Sequence, residues 1–349
     1  MDKKEKIKVA IAGCGKITRT RHAPEYNKNR NVEIVGFYDY NAERAEELAE
    51  EYGGRVYSSF EDMIADSNVD IVSICTPNFL HAAHSIAALK AGKDVLCEKP
   101  MAPNTQEAQQ MIDAQRETGK ILMLGHNQRL IPTHIRAREL LAAGEIGTIL
   151  SVQTNFKHRG PESWSVEKDN SWFFSKDKAS FGVLGDLGSH KIDLIRYLLN
   201  EEIESIFADM NTLDKRFPDN TLIDLEDNAV CILKMQSGIS GIMSVSWTNY
   251  GVEDNSTVIY GTKGTMKIFA SEIDDIIIDL RDGTNVRHHV SAISTNTNQL
   301  NSGVIDAFVS SVLNKTEPSV TGIDGKNTLA CLEAAKKSAE TGAWQKTLC

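Results

Sequence analysis

A chain of 349 residues is longer than one compact domain usually runs, which favours two domains over one. Hydrophobic residues make up 41% and charged residues 25%, so a sizeable core is available in an otherwise ordinary globular composition. The 38 Lys and Arg against 48 Asp and Glu give a formal charge of -10 with no basic block to follow a nucleic acid backbone, and no apolar run approaches the roughly 20 residues that span a bilayer.

The start, Met1 to Lys6, is charged and runs straight into an apolar stretch, which leaves no room for the hydrophobic part of a signal peptide and points to the cytoplasm. Lys8–Ala12 then reads as a strand, Glu33–Tyr38 as a second and Asp70–Cys75 as a third, with Asp94–Cys97 and Ile121–Leu124 following. Between them, Ala42–Glu51, His81–Ala91 and Thr105–Thr118 carry apolar residues at helical spacing. Strands alternating with helices imply a parallel sheet covered on both faces.

After about Gly125 the pattern changes. A helix over His134–Ala143 precedes a long strand-like stretch, Ile149–Phe156, then a loop rich in Trp and charge, then a helix over Leu187–Leu199. From Ile203 to Ile278 strand patterns dominate, among them Val230–Met235 and Gly241–Trp247, which predicts a mostly antiparallel sheet. Helices over Val304–Leu313 and Lys326–Glu340 close the chain. The expected division is therefore residues 1–125 and residues 126–349.

The six cysteines, Cys14, Cys75, Cys97, Cys231, Cys331 and Cys349, show no C-x-x-C spacing and mostly sit in apolar segments, as buried reduced thiols do. The nine histidines do not cluster with them, so no metal is expected.

Directly after the first strand comes Gly13-Cys14-Gly15-Lys16-Ile17-Thr18. Its two glycines allow a tight turn and let main-chain amides approach a pyrophosphate at a helix N-terminus, although Thr18 replaces the third glycine of the dinucleotide fingerprint. An ordinary strand-to-helix turn could look the same. Asp39, at the end of the second strand, stands about the ~20 residues further on at which a carboxylate accepts from the adenosine ribose hydroxyls. That charge would repel the extra phosphate of NADP and favours NAD, though Arg44 or Lys16 could still reach a phosphate.

The segments Cys75-Thr76-Pro77-Asn78-Phe79-Leu80-His81 and Cys97-Glu98-Lys99-Pro100 closely resemble the Gfo/Idh/MocA family of glucose-fructose oxidoreductases and inositol dehydrogenases. The resemblance continues through Gly125-His126-Asn127-Gln128-Arg129, Gly144-Glu145-Ile146-Gly147, Asp186-Leu187-Gly188-Ser189-His190-Lys191-Ile192-Asp193 and Gly261-Thr262-Lys263-Gly264-Thr265. It implies an α/β protein with an N-terminal doubly wound Rossmann sheet and a C-terminal α/β domain built on a large, open, mostly antiparallel sheet. It further implies a homodimer or homotetramer and a small sugar or polyol as substrate.

Hydride transfer from an alcohol requires a group that takes the hydroxyl proton, and a cation beside the oxygen stabilises the developing alkoxide. The expected catalytic set is Lys99, Asp186 and His190. Lys99 lies just past a predicted parallel strand, where open α/β sheets place their ligands. Asp186 and His190, four apart, would share one helix face, with His190 as acid/base and Asp186 orienting it or binding a neighbouring hydroxyl. The alternative is a cap aspartate and a packed histidine. Gly13, Gly15, Lys16, Ile17, Asp39, Thr76, Pro77, Asn78, His81, Glu98, Lys99 and Arg129 are expected to hold the cofactor.

His158, Trp172 and Asp193 are candidate substrate contacts, Asp193 alternatively orienting His190, and Trp164 is a further aromatic in the same loop. Family members often carry Trp-Arg where this chain has Trp172-Phe173, and Gly-Gly-Gly where it has Ser180-Phe181-Gly182, so this loop is expected to shape a different pocket. The favoured reading is an NAD(H)-dependent sugar or polyol dehydrogenase. The alternatives are a nucleotide-sugar dehydrogenase or reductase, with Arg136, Arg138 or Arg159 meeting a diphosphate, and a non-catalytic dinucleotide-binding sensor.

Overall fold

The computed structural model describes residues 6–168, 171–290 and 301–347. The β-branched runs of the first third form β1 (Ile7–Ala12), β2 (Val32–Tyr38), β3 (Arg55–Val56), β4 (Ile71–Ile74), β5 (Asp94–Cys97) and β6 (Leu122–Leu124). All six run parallel in the order β3-β2-β1-β4-β5-β6. The crossovers are α1 (Ala23–Lys28), α2 (Ala42–Tyr52), α3 (Phe60–Ala65), α4 (His81–Lys90) and α5 (Thr105–Thr118). Because helices cover both faces, Val9, Ile11, Ile71, Ile74 and Leu96 have no solvent exposure, and each such burial stabilises by about 1.5–3 kcal/mol. The strand order reverses between β1 and β4, which makes the loops at their carboxyl ends the walls of a ligand crevice. The short β3 and α3 were absent from the periodicity; α3 is set by its cap, since Ser59 Oγ accepts from the Asp62 N–H at 3.0 Å.

In the rest of the chain, α6 (Pro132–Ala142), β7 (Ile149–Lys157) and α7 (Ser189–Leu199) precede β8 (Ile203–Asn211), β9 (Asn228–Met235), β10 (Ser240–Ser246), β11 (Thr257–Gly261), β12 (Gly264–Ile268), β13 (Ile276–Leu280) and β14 (Asn285–His288). With β15 (Gln345–Lys346) they give a nine-stranded sheet, β14-β13-β12-β11-β7-β10-β9-β8-β15, antiparallel throughout except where β10 runs parallel to β7. Along β9 the period-2 pattern is explicit: Ala229, Cys231, Leu233 and Met235 are fully buried, while Val230 and Ile232 face outward.

The chain groups into two compact units, 6–126 with 301–326, and 127–290 with 327–347. The segment 301–326, which the sequence placed with the C-terminal domain, belongs to the first unit. Ser302 donates from both N–H and Oγ to the buried Glu25 carboxylate at 2.7 and 2.8 Å, and the Leu124 N–H donates to the Val320 carbonyl at 3.1 Å. This segment contains α8 (Val304–Asn314) and the start of α9 (Gly322–Thr341). The helix expected from Lys326 thus begins four residues earlier, although Gly322 and Gly325 are poor helix formers. A reciprocal cap overrides them: the Asp324 N–H donates to Thr321 Oγ1 at 3.2 Å, and Thr321 donates back to the Asp324 carboxylate at 2.9 Å from its N–H and 2.8 Å from its hydroxyl.

Candidate active site

In the first unit, β1 delivers the chain into Gly13 at φ +91, and a Cβ there would lie 2.4 Å from the Cys75 carbonyl oxygen, so only glycine fits. A Cβ on Gly15 would meet nothing within 4 Å, which leaves this amide approachable from outside. Thr18, in place of the third glycine, is fully buried and closes the turn by donating from Oγ1 to the Gly13 carbonyl. The helix that follows opens with a π-helical turn, Thr18–His22, before α1. Such turns are rare and often mark functional sites. Lys16 is exposed and Ile17 half-buried beside this turn.

Asp39 ends β2 with both oxygens engaged: Oδ2 accepts from the Cys14 N–H at 2.7 Å and Oδ1 from the Asn41 N–H at 2.9 Å. Each oxygen has further lone pairs for hydroxyl donors. After β4, Thr76-Pro77-Asn78 leads into a short helical turn, and the Asn78 Oδ1 is buried with no hydrogen-bond partner among the described residues. An approachable glycine amide, an orphaned buried amide oxygen and a ribose-height carboxylate fit a dinucleotide.

His81 has a different role from the one expected. It is 2% exposed, with Nδ1 2.8 Å from the Pro100 carbonyl and Nε2 2.8 Å from that of Thr76, so it ties the loop after β4 to the loop after β5. Burial pushes its pKa down, against the pull of those carbonyls. Both ring nitrogens are turned to main-chain carbonyls, one of which takes the single N–H of the neutral ring. Glu98, also expected at the cofactor, is 6% exposed. Its Oε1 lies 2.9 Å from His22 Nε2 and its Oε2 accepts from the Lys99 N–H at 3.2 Å. Burial would raise its pKa, but the hydrogen bond from His22 and the positive charges of Arg21 and Lys99 hold it at about 2. Lys99 itself is half-buried at the carboxyl end of β5, joined to Pro100 by a cis peptide bond.

In the second unit, Asp186 lies in another π-helical turn, Leu184–Gly188, that runs into α7, rather than in the regular helix the sequence predicted. The indole Nε1 of Trp247 donates to Asp186 Oδ2 at 3.1 Å, and both residues are buried. The turn is held from β9's approach: Glu226 Oε1 accepts from the Gly182 and Leu184 N–H groups at 2.8 and 3.1 Å, and a Cβ on Gly182 would lie 2.1 Å from the Glu226 carbonyl oxygen. Of Ser180-Phe181-Gly182, only the last position therefore demands glycine, and Phe181 is free to pack inward at 4% exposure. Burial raises the Glu226 pKa to about 7 despite those main-chain donors.

His190 opens α7. Its ring and that of His158 flank the buried Phe156, with centroids 5.9 and 5.8 Å from it. His158 Nδ1 accepts from the Gly160 N–H at 3.0 Å, which fixes the proton of a neutral ring on Nε2. Trp172 stacks on Phe173 at 3.9 Å, Phe173 meets Trp164 at 5.3 Å and Trp247 at 6.4 Å, and Trp247 in turn binds Asp186. The Trp-rich loop thus builds an aromatic wall that ends on a carboxylate. Phe156, Phe173 and Trp247 were not among the expected site residues, because they come from three segments whose proximity no spacing encodes.

Asp193, expected as a substrate contact or as the partner of His190, is instead buried against Arg129. It has no solvent exposure, and its two oxygens take Arg129 Nε and Nη2 at 2.7 Å each, with Arg196 Nη1 3.9 Å away. This buried fork joins α7 to the segment before α6, so Asp193 offers nothing to a substrate or to His190, and Arg129 is occupied holding it. Among the described residues, no group of three or more His, Cys, Asp or Glu side chains is placed to hold a metal ion, and no helix is long and apolar enough to cross a membrane.

Comparison with known proteins accords with this layout. Residues 7–126 match the oxidoreductase family with an NAD-binding Rossmann fold, and residues 134–267 match the GFO/IDH/MocA C-terminal domain. A glucose-6-phosphate 3-dehydrogenase of Bacillus subtilis is 35% identical over 62% of this chain and 61% of its own length. A myo-inositol 2-dehydrogenase of Thermotoga maritima is 27% identical over 96% of both chains. A levoglucosan dehydrogenase solved with NADH and levoglucosan shares the fold at TM-score 0.87, with 24% identity over 99% of this chain and 100% of that one. With both of its domains matched in order, the chain belongs to the Gfo/Idh/MocA family of NAD-binding oxidoreductases.

Proposed function

We propose that this protein is an NAD(H)-dependent dehydrogenase that acts on a secondary alcohol or ketone carbon of a sugar or polyol. The observation that carries the reading is that one chain holds both a dinucleotide-binding unit, with Lys99 just past β5, and a unit in which His190, Asp186 and an aromatic wall lie close together. The names of the two curated relatives put their reactions at ring positions 3 and 2, which supports a ring hydroxyl as the reacting group.

When bound, NAD supplies the hydride acceptor. Gly13, Gly15 and Lys16 hold its pyrophosphate at the helix start, Asp39 its adenosine ribose, and Thr76, Pro77 and Asn78 its remaining polar groups. The Lys99 ammonium donates to the reacting oxygen and stabilises the charge that develops there as the hydride leaves. His190 accepts the hydroxyl proton in oxidation and returns it in reduction. Asp186, fixed by Trp247, binds a neighbouring hydroxyl, while Trp172 and His158 line the sugar face.

The protein works as a homo-oligomer in the cytoplasm. Support for assembly is the outward face of the second sheet, where Val230, Ile232, Ile242 and Tyr260 are each 39–48% exposed and Ile232 pairs with Ile242 across β9 and β10. Support for a reducing compartment is that Cys14, Cys75, Cys97, Cys231 and Cys331 are buried free thiols. The functional test is oxidation of cyclitols, free sugars, sugar phosphates and anhydro sugars with NAD, followed at the nicotinamide absorbance. At least one compound should turn over in the wild type; silence across the panel with intact NAD binding would favour a dinucleotide-binding sensor.

A further inference from the structure

Beneath Lys99 the first unit buries a line of polar groups that the proposed chemistry does not use. Tyr26, His22 and Ser73 have no solvent exposure. The Tyr26 hydroxyl lies 3.1 Å from Ser73 Oγ, Ser73 Oγ 2.9 Å from His22 Nδ1, and His22 Nε2 2.9 Å from Glu98 Oε1. The other carboxylate oxygen takes the Lys99 main-chain N–H at 3.2 Å, and Arg21 Nη1 stands 3.7 Å from Oε1. Four polar side chains drawn from the helix after β1, from β4 and from the end of β5 thus converge on the peptide of a single lysine. A hydrophobic core at this position would have been cheaper, since each of these groups must be desolvated and then satisfied.

The order of donors is fixed if the imidazole is neutral. Tyr26 donates to Ser73, Ser73 to Nδ1, and Nε2–H to Glu98, so every bond in the line is directed at the carboxylate and each polarises the next. Gly125 closes the remaining side, because a Cβ there would lie 2.9 Å from Glu98 Oε1. The carboxylate therefore has one orientation. Its hold on the Lys99 N–H sets the direction in which that residue's side chain leaves the main chain.

We infer that His22 is a positioning residue for Lys99, acting through Glu98, and that the Tyr26–Ser73–His22–Glu98 line exists to aim the ammonium. This rests on the role given to Lys99 above. It does not require His22 to touch cofactor or substrate.

The two ring nitrogens can be tested separately. In His22→Gln the side-chain amide reaches the position of Nε2 and can still donate to Glu98; in His22→Asn it reaches only that of Nδ1 and keeps Ser73 while losing Glu98. Asn is one methylene smaller and leaves more space unfilled, so unfolding stability is read alongside: a merely structural histidine would lose stability in His22→Asn without moving the Lys99 resonance. With NAD bound, the 13C resonance of reductively methylated Lys99, assigned by its loss in Lys99→Arg, should stay near its wild-type position in His22→Gln and move in His22→Asn. With a compound that turns over, His22→Asn should lose kcat by on the order of 10²-fold, as small misplacements of catalytic groups do, with KM for NAD changed less than about threefold, and His22→Gln should recover most of the loss. Tyr26→Phe, at the far end of the line, should fall between Gln and the wild type.

The inference is overturned if the Lys99 resonance is the same in both His22 variants, or if both lose activity equally. Wild-type turnover in Lys99→Ala would instead sink the role of Lys99 itself, and the resonance experiment reads His22 whichever way that turns out.

Discussion

Lys191 follows His190 directly in sequence but has no solvent exposure, with its ammonium 2.9 Å from the Asn255 carbonyl and 3.5 Å from Thr257 Oγ1. Burial lowers its pKa to about 7, only partly offset by Asp254 and Glu253. A base whose folded pKa falls below its unfolded value costs stability that is fully felt below the folded pKa and is relieved as pH rises toward the unfolded one. Lys191→Met should therefore stabilise the protein most near pH about 6.5, and the gain should shrink by pH about 9.5. Urea unfolding midpoints at the two values check this; a difference independent of pH would mean the amine is not the source. At this same scale the sequence was half legible. Gly13, Asp39 and Lys99 stand where their spacing from a strand puts them, just past β1, β2 and β5. Glu98, His81, Arg129 and Asp193 fall in the expected motifs, yet their side chains are held by the main chain or by neighbouring side chains, because a motif marks where a residue falls and not which neighbour satisfies it.

Among the elements, two π-helical turns stand at the candidate site, one following the Gly13–Gly15 turn and one carrying Asp186. A period-3.6 reading cannot see them, since one extra residue per turn shifts the register without altering composition. The second turn depends on Glu226. Its folded pKa, raised to about 7, means that the carboxylate costs stability as pH climbs from the ordinary glutamate range through neutrality, where the folded protein must finally release the proton. Glu226→Gln keeps an oxygen for the Gly182 and Leu184 amides and removes the charge. It should stabilise relative to wild type above pH about 7, with the difference closing toward pH about 5. Thermal unfolding at both values measures it, and a variant destabilised at the higher pH would show that the charge at the helix start outweighs its desolvation. The strands and long helices were legible because their apolar residues repeat; α3, β3 and the first turn of α9 were not, because caps and neighbours, not periodicity, hold them.

At the scale of the whole molecule, no local pattern marks 301–326 as returning to the first unit, since that depends on the buried Glu25–Ser302 pair, which links residues far apart in the chain. The outward face of the second sheet predicts an oligomer that Ile242→Asp dissociates, seen as a fall in mass by light scattering; an unchanged mass would place the interface elsewhere. The Asp39 carboxylate predicts that NAD binds at least about tenfold more tightly than NADP, and that Asp39→Asn, which retains an acceptor for the Cys14 N–H, narrows the gap in fluorescence titrations. Equal affinities in the wild type would count against the charge as the discriminator.

The central claim is that a hydride passes between a sugar or polyol carbon and nicotinamide, with the reacting oxygen held by Lys99. A substrate deuterated at the reacting carbon, turned over with NAD, tests it most directly through the NMR spectrum of the reduced nucleotide. Deuterium at nicotinamide C4 is predicted, together with a fall in rate of about 10²- to 10³-fold in Lys99→Ala and little change in NAD affinity. Reduced nucleotide without deuterium, or a Lys99→Ala protein that turns over like the wild type, would contradict it.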